Sequence, residues 1–353
     1  MLNVERLEAD VAARMAKARV PGLALAVVRD GEVVYARGFG VTSVEDGGQP
    51  VTPATLFQIG SITKSLTGTL VMRLVEAGAL DLDRPVTAYL PGLTLGELDV
   101  AGRVTPRRLL SHTAGLPFDQ ITPDRLYRSR DPGALAVYVR DAVPRRPLVA
   151  APGERWSYSN PGILLAARVA EVVAGRTYPE LLQELVCTPL GMARTTVDPT
   201  VALTYPLAQG HELAGDGALR VRHRAADNAA QYPAAFAYST VLDLANFALL
   251  HLQGGRFGGA RVLAPASVAA MHEPHAERGE GPGTAYGLTF FLDDFHGRRK
   301  VGHPGGIGPY ATLLTMLPDE GVGVVLLCSR GDDFEAEREV IADAILADLL
   351  GLS

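Results

Sequence analysis

Ser61 and Lys64 stand three residues apart in the run Phe57-Gln58-Ile59-Gly60-Ser61-Ile62-Thr63-Lys64-Ser65-Leu66-Thr67-Gly68, and one of only three lysines in the chain occupies this place. A serine hydroxyl is a weak nucleophile at neutral pH until a neighbour takes its proton. Residues i and i+3 share one face of a helix, so an amine at Lys64 reaches a hydroxyl at Ser61. Burial by the stretch from Leu66 to Leu74 favours the neutral, proton-accepting form of that amine. The pair therefore offers nucleophilic catalysis through a serine. Short tetrads of this kind also arise by chance, so the weight of this one depends on its company.

Two further segments carry chemistry. In Arg155-Trp156-Ser157-Tyr158-Ser159-Asn160-Pro161-Gly162 a phenol and an amide sit two residues apart before a helical run. A tyrosine beside a cation can act as a base, and an asparagine can hydrogen-bond an ester or amide. Taken by itself, Tyr-Ser-Asn is a turn. In His303-Pro304-Gly305-Gly306-Ile307-Gly308 the glycines let backbone approach a ligand, and their N–H groups can face a developing oxyanion. By itself this segment reads as a tight connection after a strand. Ser111-His112 is no nucleophile–base couple, because adjacent residues point apart on a helix; His112 reads as a structural hydrogen-bonding residue. Gly-x-Ser-x-Gly, His-Glu-x-x-His, Walker and Gly-x-Gly-x-x-Gly signatures are all missing, which weakens α/β-hydrolase, zinc-peptidase and nucleotide-binding readings.

The elements that must position these residues fall into two kinds. Leu2, Val4, Leu7, Val11 and Met15 recur at helical spacing over residues 2–18. Gly22–Val28 and Val33–Gly38 flank Asp30-Gly31 and read as a hairpin. Near the other end, Tyr286–Leu292, Ala311–Leu317 and Val322–Cys328 read as strands. Phe334–Leu350 reads as a helix with Val340, Ile341, Ala344, Ile345 and Leu349 on one side. Between about 60 and 270 the pattern is mostly helical, including Gly162–Ala174, Pro179–Val186 and Leu242–Leu252. Separated clusters of strands and helices predict an α+β fold rather than βαβ units. Residues 1–55 and 281–353 are expected to form one antiparallel sheet flanked by helices, with residues 56–280 a large, mostly helical insertion. The Gly/Pro-rich Glu280–Gly283 is read as the return from insertion to sheet.

Bulk properties narrow the function. The chain has 353 residues, 47% of them hydrophobic and 20% charged, and a net charge of −6. That balance implies no basic surface for nucleic acid. Cys187 and Cys328 read as buried, inert thiols, without metal-ligand spacing. No apolar run reaches 18 residues, so no membrane span is expected. The first residues lack a secretory signal pattern, and the expectation is a cytoplasmic protein.

Together the segments resemble the serine β-lactamase and penicillin-binding-protein superfamily, closest to its class C-like branch, which also holds family VIII carboxylesterases and D-stereospecific peptidases. Ser61-Ile62-Thr63-Lys64, Tyr158-Ser159-Asn160 and His303-Pro304-Gly305 fall in the family's order. The flanks Leu109–Leu116, Pro152–Trp156, Pro189–Met192 and Tyr238-Ser239-Thr240 agree with it as well. The resemblance implies a β-lactamase-like fold and a Ser61 acyl-enzyme. It gives Lys64 and Tyr158 shared proton transfer, Asn160 a role in orienting the substrate carbonyl, and the N–H groups of Ser61 and Gly306 an oxyanion hole. It implies no cofactor and no metal, and a small ester, amide or lactam as substrate for a monomer or homo-oligomer.

One departure bears on substrate. β-Lactamases usually place Lys then Thr where this chain has His303 and Pro304. Histidine is mostly neutral near pH 7, and proline offers neither hydroxyl nor N–H. The reading is therefore a carboxylesterase-type serine hydrolase with weak or no β-lactam hydrolysis. A class C-like β-lactamase or D-aminopeptidase, and a catalytically idle scaffold or sensor on the same fold, are the alternatives.

Overall fold

A computed structural model describes residues 2–45, 47–95, 100–118, 129–223, 227–331 and 334–352. The first helix, α1 (Val4–Lys17), is capped by the Asn3 side chain and buries Leu7, Val11 and Met15. Val4, on the opposite face, stays exposed. Next come β1 (Gly22–Arg29) and β2 (Glu32–Gly40). Their turn places Asp30 at φ 51° and Gly31 at φ 87°. Two consecutive positive φ values suit a tight hairpin, and Asp-Gly supplies them.

The middle of the chain contributes the longer helices α2 (Thr63–Glu76), α3 (Asn160–Ala174), α4 (Val241–Leu252) and α5 (Pro265–His272). Sheet structure resumes with β3 (Ala276–Glu277), β4 (Ala285–Tyr286), β5 (Phe291–Phe295), β6 (Arg298–Ile307), β7 (Tyr310–Leu317) and β8 (Val322–Cys328), and α6 (Glu335–Leu350) follows. One eight-stranded sheet runs β2-β1-β8-β7-β6-β5-β4-β3. Every neighbouring pair in it is antiparallel. The α+β arrangement expected from the sequence, one antiparallel sheet flanked by helices, is thus the observed one.

The sheet separates two cores. Leu23, Leu25 and Val27 face α1 and α6 and pack with Val11, Ile341 and Ile345. Ala24, Ala26 and Val28 face the helical region and join Leu66, Leu70 and Leu244. Because successive strand residues point to opposite faces, β1 is apolar from Gly22 to Val28 and buried on both sides. Each large aliphatic side chain enclosed this way contributes about 1.5–3 kcal/mol.

Four readings are corrected. Tyr286–Leu292 is not one strand: Gly287–Phe290 turns between β4 and β5, with Leu288 N–H donating to Met271 O and Thr289 N–H to Leu110 O. Those bonds draw the turn into the helical region. The segment from His303 to Gly306 is not a connection after a strand but part of β6 itself, paired with β7. The buried face of α6 carries Arg338, Ile341, Ala342, Ile345, Leu346 and Leu349, whereas Val340 and Ala344 are exposed. Arg338 rotates that face inward because its Nη1 donates to Gly305 O at 2.8 Å. Glu280–Gly283 lies between β3 and β4, after the chain has already re-entered the sheet.

Candidate active site

Ser61 occupies a short 3₁₀ turn, Gly60–Ile62, that feeds directly into α2. Gly60 has φ 54°, and a Cβ there would lie 2.6 Å from the Gly306 nitrogen. A side chain at that position would push the turn away from β6. Thr312 Oγ1 donates to Ile59 O at 2.8 Å, and Thr63 Oγ1 donates to Gly60 O at 2.7 Å. These bonds fix the corner on both sides of the serine. Ser61 itself is half-buried, whereas Lys64 is fully enclosed.

Lys64 Nζ lies 2.9 Å from Ser61 Oγ and donates to Ala234 O at 2.7 Å. Its i, i+3 relation to Ser61 puts both on the face turned toward the sheet. Burial drives the Lys64 ammonium well below its ordinary range, with no carboxylate to oppose it. A neutral amine 2.9 Å from a hydroxyl can accept that hydroxyl's proton.

Tyr158 comes from a distant segment and meets the pair. Its hydroxyl shares a hydrogen bond with Ser61, which opposes the upward push of desolvation on the phenol. Lys64 Nζ sits 4.9 Å from its ring centroid. The sequence after it folds locally as its composition dictates: the Ser159 side chain accepts from Gly162 N–H at 3.1 Å and caps α3, with Pro161 in the first turn. Asn160 opens that helix and is 6% exposed.

His112 holds this segment in place. Its carbonyl accepts from Ser157 N–H at 2.8 Å, and its Nδ1 accepts from Ser159 N–H at 3.1 Å. Its ring lies 4.4 Å from that of Tyr158 and 4.8 Å from that of Tyr286. Desolvation, then Lys64 and His303, hold its imidazole well below the usual range, so it is neutral with the proton on Nε2.

The third segment forms the opposite wall. His303 is buried; its Nδ1 lies 2.6 Å from Pro304 O and its Nε2 lies 3.2 Å from the Tyr286 hydroxyl. The Nδ1–H donates to the carbonyl, so Nε2 accepts from the phenol. Burial, with Lys64 adding to it, takes the His303 imidazole down to about 3. It presents no positive charge near pH 7. Gly305 abuts the serine corner, since a Cβ there would lie 2.2 Å from Ile59 O.

Ser61, Lys64, Tyr158, His303, Gly305 and Gly306 thus converge from three stretches of chain, and Asn160 opens the helix just behind Tyr158. Tyr286 and Phe291, which contact His303, and Arg338, which holds Gly305 O, were missed in the sequence. Phe291 lies 4.9 Å from His303 and stacks toward Tyr158. Arg338 did leave a signal, a lone cation three residues before Ile341 on an apolar helix face. Cys187 and Cys328 are both free, and burial pushes each thiol up to about 12. Among the described residues no cluster gathers to hold a metal, and no helix is long and apolar enough to cross a membrane.

Comparison with known proteins decides the family. A profile described as Beta-lactamase matches residues 7–347. The chain belongs to the beta-lactamase family. It is 35% identical to Penicillin-binding protein 4 of Amycolatopsis lactamdurans, over 88% of this chain and 81% of that one. Its fold is similar to that of the octameric penicillin-binding protein homologue from Pyrococcus abyssi, with a TM-score of 0.85 at 29% identity over 99% of this chain and 78% of that one. A D-stereospecific amidohydrolase from Streptomyces sp. superposes with a TM-score of 0.73 at 26% identity, covering 93% of this chain and 96% of that one. The beta-lactamase-family chain described here is a serine hydrolase.

Proposed function

We propose that this hydrolase acts through a Ser61 acyl-enzyme on small esters or amides, as a carboxylesterase-type enzyme with weak or no β-lactam hydrolysis. The observation that carries the reading is the 2.9 Å approach of a desolvated Lys64 amine to Ser61 Oγ, with the Tyr158 hydroxyl on the same oxygen. The Ser61 proton passes to the Lys64–Tyr158 pair as Oγ bonds to the substrate carbonyl carbon. The negative charge that forms on the carbonyl oxygen is held by the N–H groups of Ser61 and Gly306. Collapse breaks the bond to the alcohol or amine, which leaves with the proton. Water then gives its proton to the same pair and attacks the Ser61 ester, and the pair returns that proton to Ser61 Oγ as the acyl–oxygen bond breaks and the acid leaves. The two groups titrate as a coupled unit rather than as separate residues. Asn160 orients the substrate carbonyl side.

The ester preference rests on His303. A β-lactam carboxylate finds a neutral, inward-turned imidazole there instead of a cation. The test is a stopped-flow assay with p-nitrophenyl butyrate alongside nitrocefin, with intact-protein mass spectrometry of the quenched reaction. The expected result is a burst of nitrophenolate, a butyryl adduct on Ser61, and slow nitrocefin turnover. An adduct elsewhere, or fast nitrocefin turnover at low concentration, defeats the proposal.

A further inference from the structure

β6 pairs with β5 from Arg298 to Gly302 and with β7 from Val301 to Ile307, so among the described residues the stretch from His303 to Ile307 is paired on the β7 side only. That half of the strand also lies against Gly60 of the serine turn, at Gly306. An extended substrate can align with an unpaired strand edge, here with its scissile carbonyl between Ser61 and Gly306.

Among the described residues, Arg278, Asp293 and Lys300 line a cavity beside His303 and Pro304, and few other charged groups stand near this edge. Lys64 is enclosed and held toward its neutral form, and His303 is neutral. Arg338 spends Nη1 on Gly305 O at 2.8 Å and has Glu339 3.9 Å from its Nε. Arg222 lies farther along, with Nη1 3.6 Å from the place of a Cβ on Gly308 and Glu212 3.9 Å from its Nε. Glu335 differs from all of these. It is the first residue of α6 and exposed, and its Oε1 lies 3.4 Å from where a Cβ on Gly306 would sit. Gly306 has no side chain to stand between that carboxylate and a ligand on the strand.

We infer that Glu335 selects substrate by charge: a cationic group one or two bonds from the scissile carbonyl, such as the α-ammonium of an amino-acid ester or amide, pairs with Glu335, and an anionic group there is repelled. This deepens, and rests on, the reading of Ser61 as the acylated nucleophile. The Glu335 carboxylate is solvated, so the discrimination is modest, about three- to fivefold, as for exposed ion pairs. It weakens with salt.

The experiment compares kcat/KM for alanine p-nitroanilide and alanine methyl ester, in both enantiomers, with the amine free, N-acetylated or N-succinylated. The native enzyme is expected to favour the free amine over the acetyl form by about three- to fivefold. That preference should shrink at about 0.5 M NaCl. Glu335→Gln removes the preference and Glu335→Lys turns it toward the succinyl substrates. Unchanged ratios in both variants, with Ser61 still labelled by a fluorophosphonate probe, overturn the role of Glu335 and leave the hydrolase reading standing. Failure of the native protein to label at Ser61 overturns both.

Discussion

At the corner that carries Ser61, polar groups are bound and backbone is pinned: Lys64 to Ser61 and Ala234 O, Thr63 to Gly60 O, Thr312 to Ile59 O. The facing half of β6 is the reverse. Among the described residues one of its edges is unpaired, and its polar side chain, His303, is turned away onto Tyr286 and its own neighbour's carbonyl. The contrast separates two tasks. Bond making and breaking need groups held at fixed distances, so the corner is over-determined. On the proposed reading, substrate choice on the strand is left to backbone N–H groups and to the carboxylate of Glu335.

The sharpest way to break this contrast is at the corner. Ser61→Ala is expected to lower p-nitrophenyl butyrate hydrolysis by roughly 10³ or more, and Lys64→Arg to do nearly as much, because a guanidinium does not give up its proton. Ser61→Ala should unfold at a temperature close to that of the native protein, whereas Lys64→Arg sets a permanent charge in an enclosed site and should unfold at a lower one. Next is the seam between the two regions. Gly305→Ala sets a Cβ 2.2 Å from Ile59 O and 2.1 Å from Thr312 Oγ1. The overpacking should cost about 1–3 kcal/mol in urea unfolding and displace the proposed oxyanion donors, lowering kcat by about 10². Gly306→Ala meets nothing nearer than Glu335 at 3.4 Å, so its urea midpoint should hardly move.

Acid offers a third handle. His112, His303, His251 and His272 are buried with imidazoles depressed by desolvation. They are neutral when folded, while the unfolded chain takes up protons below about 6.5. Stability is therefore fully present above that pH and is lost as pH falls toward the folded values, which for His303 and His272 are about 3. Each contributes up to about 1.4 kcal/mol per pH unit to the slope, measurable as urea midpoints between about pH 7 and 5. A flat profile would contradict the enclosure of these rings.

Two smaller effects refine the picture. His112→Leu removes the acceptor for Ser159 N–H and should cost about tenfold in kcat, whereas His112→Asn keeps an acceptor at the same branch point, tolerates φ 58°, and should recover most of it. His303→Lys should raise nitrocefin turnover by only about two- to fivefold, because the site desolvates any cation placed there.

Much of this was legible in the sequence because local rules and tertiary structure agree. Asp30-Gly31 demanded a hairpin, the Leu7–Val11–Met15 spacing a helix, and Ser61 and Lys64 a shared helical face. Legibility failed where distant partners decide. Nothing local shows that the Thr289 N–H will bond Leu110 O and break a strand at Gly287. Nor does it show that Gly305 will need Arg338, or that His303 will turn toward Tyr286. The altered residues in the third segment were visible; the direction they point was not.

The order of strands in the sheet has a consequence for synthesis. β1 and β2 emerge early but rest on β8, and β6 arrives long after the serine turn it must meet. A sheet closed by such remote partners forms slowly and late. If Ser61 is the nucleophile proposed above, a growing chain on the ribosome carries it unarmed until nearly all of the chain has been made, and a truncated product lacking β6 should hydrolyse nothing.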